Sequence, residues 1–135
     1  MASTPNITKE EIKEGKGLAI IAYIIALIPF LAGDKKNKFI RFHAVQGMNI
    51  FICTLILWAA SWLLNSIIGA IMVGSAVTLS AGGVAGSLGI LVLVNAVFGL
   101  AFTVLGVLDI VGLIYAAQGQ AKEIPIINKI KFIKK

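Results

Sequence analysis

The chain has 135 residues, 59% of them hydrophobic and 13% charged, whereas a soluble domain is about half apolar and about a quarter charged. A soluble fold of this length would leave too much apolar surface in water, because small domains bury the smallest share of it; length and composition therefore exclude a soluble globule and admit a single bilayer-embedded domain. The net charge of +6 stands at the ends of the apolar segments, which reads as membrane topology and contact with anionic lipid, not as a nucleic-acid-binding face.

Residues 1–16 are polar, with Lys9, Lys13 and Lys16 offset by Glu10, Glu11 and Glu14. Thr8 followed three residues later by Glu11 has the form of a capping box, so a short amphipathic helix is expected to lead into the membrane. This segment has no net positive charge and no small-x-small cleavage site closes the apolar stretch after it, so that stretch reads as an uncleaved span and not a signal peptide. Span one covers residues 17–32, with Pro29 near its end expected to kink it. A charged turn follows at 33–37, and Lys35, Lys36, Lys38 and Arg41, in and just after it, form a basic cluster.

Residues 42–108 form one run of 67 residues without a single Asp, Glu, Lys or Arg. A crossing takes about 20 apolar residues, so the run holds two spans and their connection. Span two begins at Lys38 and extends to about residue 71, with its start in the interface and Trp58 and Trp62 toward the far one. Residues 72–89 are uncharged and rich in Gly and Ser; they read as a flexible turn, the alternative being a re-entrant or fourth short segment that packs through Gly82 and Gly86. Span three covers 90–117, where Gly99, Gly106, Gly112 and Thr103 would let helices approach closely. The tail, 121–135, carries Lys129, Lys131, Lys134 and Lys135.

The fold class is thus an all-α integral membrane protein of three transmembrane helices, a single domain over 17–120 between a polar N-terminal segment and a basic tail. Both basic clusters belong on the cytoplasmic face of a cell membrane. Two crossings between them put the N-terminus outside and the tail in the cytoplasm. Lys35, Lys36, Lys38, Lys129, Lys131, Lys134 and Lys135 are the expected contacts to lipid headgroups.

Five polar residues stand out. Arg41 can reach phosphates, and His43 reads as a neutral histidine hydrogen-bonded to backbone or lipid headgroup, the alternative being a charge switch near neutral pH. Asp109 is the only acid inside a span, an expensive position and so a functional candidate. At 1.5 Å per residue, Gln46 and Asn49 lie about as deep in span two as Asp109 does in span three. Asp109 is therefore expected to face one of them, with His43 or Arg41 nearby, either as a clasp between helices or as a polar spot on a path. Asn49, Asn65 and Asn95 read as interhelical hydrogen-bonding points. Cys53 is a lone thiol in an apolar stretch, read as a small buried hydrophobe. No nucleophile–base pair, phosphate loop or metal-ligand spacing appears, so neither catalysis nor a metal or cofactor is expected.

The stretch Asn37-Lys38-Phe39-Ile40-Arg41-Phe42-His43-Ala44-Val45-Gln46 resembles the signature of small prokaryotic membrane proteins related to the chloroplast inner-envelope (Tic) import component. Ala116-Ala117-Gln118-Gly119-Gln120-Ala121-Lys122-Glu123-Ile124-Pro125-Ile126-Ile127 resembles that family's closing motif after the last span. The likeness covers roughly residues 17–130. It implies a helical membrane fold with both motifs on one membrane face and, from the plastid members, a part in moving polypeptides across a membrane. Three spans, against the four of the plastid proteins, and the long Gly/Ser-rich connection depart from the family pattern. A non-enzymatic component of peptide or protein translocation, working as a homo-oligomer, is the expected function. A second is an immunity, stress or scaffold protein that binds a membrane-active peptide or a partner; the third, an ion or proton conductor, would rest on Asp109 and His43.

Overall fold

The computed structural model describes residues 6–33, 36–77, 81–127, 129 and 132–133. Among these there is no strand, and four helices follow in chain order.

Helix α1, Lys9–Ile21, starts where the Thr8–Glu11 pair closes a capping box. The Thr8 hydroxyl accepts from the Glu11 amide at 3.2 Å, and the Glu11 carboxylate accepts from the Thr8 amide at 2.9 Å. Two amides that the first helical turn leaves orphaned are satisfied reciprocally.

The expected single span over 17–32 is not one helix. α1 ends at Ile21, and α2, Leu27–Ala32, is a separate piece of six residues. The reason lies in the backbone. Pro29 has no N–H, and its ring excludes the carbonyl four residues back. That carbonyl, of Ile25, accepts from the Ile28 amide instead at 3.1 Å. Upstream, the Tyr23 and Ile24 amides already bond three residues back, to Ile20 and Ile21 at 3.1 and 3.0 Å. The chain thus tightens into turns, and Pro29 falls in the first turn of a new helix, where its missing donor costs least.

Helix α3, Lys38–Val77, begins at the expected residue. Asn37 caps it: its Oδ1 accepts from the Phe39 and Ile40 amides at 3.0 and 3.1 Å, the arrangement that makes Asn a favoured N-cap. Its Nδ2 donates to the Glu11 carbonyl at 2.9 Å, and the Lys38 amide donates to the Glu11 carboxylate at 3.2 Å. One acid therefore sits at the amino ends of two helices, where the helix dipole favours negative charge.

Helix α4 covers Ala81–Ala117. The flexible turn expected over 72–89 is corrected: 72–77 close α3 and 81–89 open α4. Each glycine costs a helix about 1 kcal/mol, but a backbone surrounded by hydrocarbon must satisfy its polar groups within itself. The Ser87 hydroxyl is absorbed likewise, donating to the Gly83 and Val84 carbonyls at 2.9 Å each. α4 ends on Gly119, in the left-handed region at φ 71. The Gly119 amide donates to Ala116 at 3.0 Å and the Gln120 amide to Tyr115 at 2.8 Å, the paired bonds of a Schellman cap.

The chain divides into two compact units. The first, Met1–Cys53 with Leu105–Lys135, has a core of Ala19, Ala22, Tyr23, Phe39, Ile50, Leu108, Ala116, Ile124 and Ile127. Gly47 is required there, because a Cβ at that position would overlap the Ala22 carbonyl oxygen. The second, Thr54–Val104, is a helical hairpin whose apolar side chains point outward; Trp58, Trp62, Val92 and Leu100 are 63–70% exposed. Of the small residues read as packing points, Gly112 meets the Tyr23 ring and Ile124, whereas no described atom approaches Gly82, Gly86, Gly99 or Gly106.

Two helices, not three, are long and apolar enough to cross a membrane among the described residues. The most apolar 18 residues of α3 and α4 are 6% and 0% buried. A soluble core helix would be covered, and apolar patches beyond a few hundred Å² are rare on soluble monomers.

Two outcomes follow. Gly47→Ala should cost about 1–3 kcal/mol in denaturant or thermal unfolding in detergent, while Gly69→Ala, with nothing within 4 Å of its site, should change stability by less than about 1 kcal/mol. The amides of Thr8 and then Lys38 hold the Glu11 carboxyl below its ordinary 4.5. A carboxyl whose pKa is lowered by folding contributes stability that is complete above its unfolded value and is lost as pH falls through the folded one. The stability gap between the wild type and Glu11→Gln should therefore be widest at neutral pH and close as the pH drops below about 4.5.

Candidate functional site

Helical spacing places His43, Gln46 and Asn49 on neighbouring positions of one side of α3, and all three are buried, with 0%, 4% and 3% exposure. Arg41 does not join them; it is exposed. The structure thus gathers three of the five sequence candidates and leaves Arg41 outside.

His43 sits in an aromatic box. The rings of Phe39, Phe42 and Tyr23 stand edge-on to it with centroids at 4.7, 5.3 and 5.7 Å. Its Nδ1 lies 2.9 Å from the Tyr23 hydroxyl oxygen. In the tautomer with the proton on Nε2, the phenol donates to Nδ1. Edge-on aromatic pairs at this range add to the area they bury, so His43 organises the core between α3 and the turn after α1.

Gln46 and Asn49 hold the tail. The Gln46 Nε2 donates to the Lys122 carbonyl at 3.2 Å, and its Oε1 accepts from the Ile124 amide at 3.1 Å. The Asn49 Oδ1 accepts from the Phe132 and Ile133 amides at 3.1 and 2.9 Å, and its Nδ2 donates to the Ile133 carbonyl at 3.3 Å. Both carboxamides are spent on main-chain atoms of one segment. That segment has no regular secondary structure at 121–124, and it drives Ile124 and Ile127 into the core at 1% and 2% exposure.

The expected meeting of Asp109 with Gln46 or Asn49 is therefore corrected. Those carboxamides turn to the tail, and neither bonds to the half-buried Asp109. The tail supplies buried main-chain groups that must be paired, and it outcompetes a side chain on the neighbouring helix.

Lys36, Lys38 and Lys129 are exposed, and the Lys38 ammonium donates to the Asn6 carbonyl at 3.4 Å. Lys35, Lys131, Lys134 and Lys135 lie outside the described residues. Cys53 is half-buried. In the hairpin unit Asn95 donates to the Asn65 Oδ1 at 2.9 Å, an interhelical bond of the kind expected at each of these positions. Among the described residues no three of His, Cys, Asp and Glu come together.

Sequence reasoning missed Tyr23, Asn37 and the two tail isoleucines. Asn37 carried a usable signal, an Asn directly before an apolar helix. So did the run Ile124-Pro125-Ile126-Ile127, since a tail that only touches headgroups has no use for isoleucines. Tyr23 carried none; its partner is twenty residues away and chosen by the turn after α1.

Asn49→Leu would strand the Phe132 and Ile133 amides. At about 0.5–1.5 kcal/mol net for each of the two part-buried bonds lost, trypsin should cut the tail at Lys129 roughly 5- to 100-fold faster in detergent, assuming the cut follows tail opening. Asn65→Leu should leave that rate unchanged.

Comparison of the chain with protein-family models, with curated proteins and with solved structures finds no match. The likeness to import-component relatives stands on the two motifs alone.

Proposed function

We propose that this chain is a non-enzymatic, multi-pass membrane protein that takes part in handling polypeptides at a membrane, as an oligomer and in contact with anionic lipid. The observation that carries the reading is a bond: the Gln46 side chain pairs with Lys122 and Ile124. It joins the first motif of the resemblance, 37–46, to the second, 116–127, across 76 and 78 residues of sequence. Motifs that only marked two separate helix ends would have no reason to share a buried carboxamide.

Residence in the membrane is supported by the outward-facing apolar surface of α3 and α4. The two arms of the hairpin unit, 54–77 and 81–104, are each long enough at 1.5 Å per residue to cross about 30 Å of hydrocarbon. The number of crossings is best read as two. Glu11, in the first turn of α1, is bonded to Lys38, the first residue of α3. Groups in a hydrogen bond share one depth, so residues 12–37 return to the face they left. The exposed Ile24, Leu27, Ile28 and Leu31 then dip into the interface instead of spanning. Both termini fall on the cytoplasmic side with the basic clusters, in place of an outside N-terminus.

The engagement of Gln46 and Asn49 by the tail favours one other reading. A polar set consumed in this way lines no open path, which suits a scaffold or immunity protein with a single partner.

Single cysteines in a Cys53→Ser background test the topology. Asn6→Cys and Lys129→Cys should resist an impermeant maleimide in intact cells, and Gly82→Cys should react; labelling of Asn6→Cys from outside would restore three crossings. A photo-crosslinking residue at Ile110, beside Asp109, tests the role. Adducts with many different polypeptides support translocation, and adducts with itself alone or one small protein support the scaffold reading.

A further inference from the structure

We infer that the side of α3 carrying Gln46 and Asn49 is a groove that binds polypeptide main chain, extended where it passes Gln46, with residues 122–127 and 132–133 of the tail as its resident, displaceable occupant. The inference deepens the polypeptide-handling reading and rests on it for its biological meaning.

The groove reads backbone. Both carboxamides are more than nine-tenths buried, and every bond they make to the tail ends on a main-chain atom. Gln46 takes the carbonyl of residue 122 and the amide of residue 124. A carbonyl and the amide two residues on point to the same side in an extended chain, as along a strand edge. Gln46 thus recognises a conformation, in the manner of peptide sites that add a strand to an exposed edge.

Side-chain recognition is narrow. Ile124 and Ile127 are buried in the core, whereas Pro125, Ile126, Lys129 and Phe132 are exposed. The partner that fits is therefore a segment that runs extended past Gln46 and then turns, as residues 125–127 do, with one aliphatic residue before the turn and one at its end, three positions apart.

The resident is held imperfectly. Ile126 has φ 76, and a β-branched residue in the left-handed region is a genuine outlier. The tail accepts this strain because it is tethered directly behind the Gly119 cap; an incoming segment has no such tether. Tethering gives the tail a high effective concentration, and the strain lowers what a competitor must overcome. A glycine at position 126 should remove the strain.

The test uses purified full-length protein in lipid nanodiscs and two synthetic peptides: residues 120–135, and the same with Ile126→Gly. Adding the glycine peptide in excess should speed hydrogen exchange at the Ile124 and Ile133 amides, leaving the α1 amides unchanged. It should bind about tenfold more tightly than the native peptide. In a chain carrying Ile124→Ser and Ile127→Ser, whose own tail is weakened, both peptides should bind at least tenfold more tightly than to the wild type, and adding Gln46→Leu should abolish the gain. Unchanged exchange in the wild type at saturating peptide would overturn the inference; this arm stands even if the Ser variant fails to fold. Because the probe is the chain's own tail in vitro, failure here leaves the cross-linking test of polypeptide handling untouched.

Discussion

A buried carboxamide must find partners or the fold loses the cost of stranding them. Gln46 meets that demand with the carbonyl of Lys122 and the amide of Ile124, and much of the first unit depends on the result. The bonds lay the tail against α3, Ile124 closes the core over Tyr23 and Gly112, and Tyr23 in turn meets His43. The Tyr23 position requires the turn after α1, where Ala22 comes so close to α3 that residue 47 is glycine. A side-chain amide, a ring pair and a backbone contact thus form one connected set.

The two units satisfy their polar side chains differently. In the hairpin, polar side chains are quieted locally: Asn65 donates to Ser61, Ser66 to Trp62 and Thr103 to Gly99, each four residues back. Such local pairing is what a helix in hydrocarbon would require, where no water can complete a bond, and the Asn95–Asn65 bond crosses between helices. In the first unit the polar side chains reach far along the sequence, Asn37 to Glu11, His43 to Tyr23 and Asn49 to Ile133. Long-range polar pairing among buried groups specifies one packing more sharply than apolar contact does.

That contrast separates what could be read from residues alone. Spans show as long uncharged runs, and α3 was legible from its first residue because the charge pattern changes there. The capping box at Thr8 was legible because local spacing determines it; Asn65 and Asn95 were legible as hydrogen-bonding positions, but their pairing across 30 residues was not. The Gly/Ser-rich stretch was misread, because glycine argues for turns in water and that argument weakens where an unpaired backbone is the greater cost. Of the candidate site, the residues His43, Gln46 and Asn49 were legible as unusual polar positions, but their partners were not.

The sequence by itself determined a helical fold class with long apolar stretches, read as three spans where two helices among the described residues are long and apolar enough to cross a bilayer, since solvation of side chains and of backbone polar groups depends on composition and run length. It also marked the polar positions that need a reason to exist. Only the tertiary structure decided that the first apolar stretch breaks and turns back, that the tail and not Asp109 occupies Gln46 and Asn49, and that Tyr23 completes the histidine box. Those outcomes turn on which of several chemically adequate partners arrives first at a buried donor or acceptor, and that is settled by chain geometry around Pro29, Gly47 and Gly119.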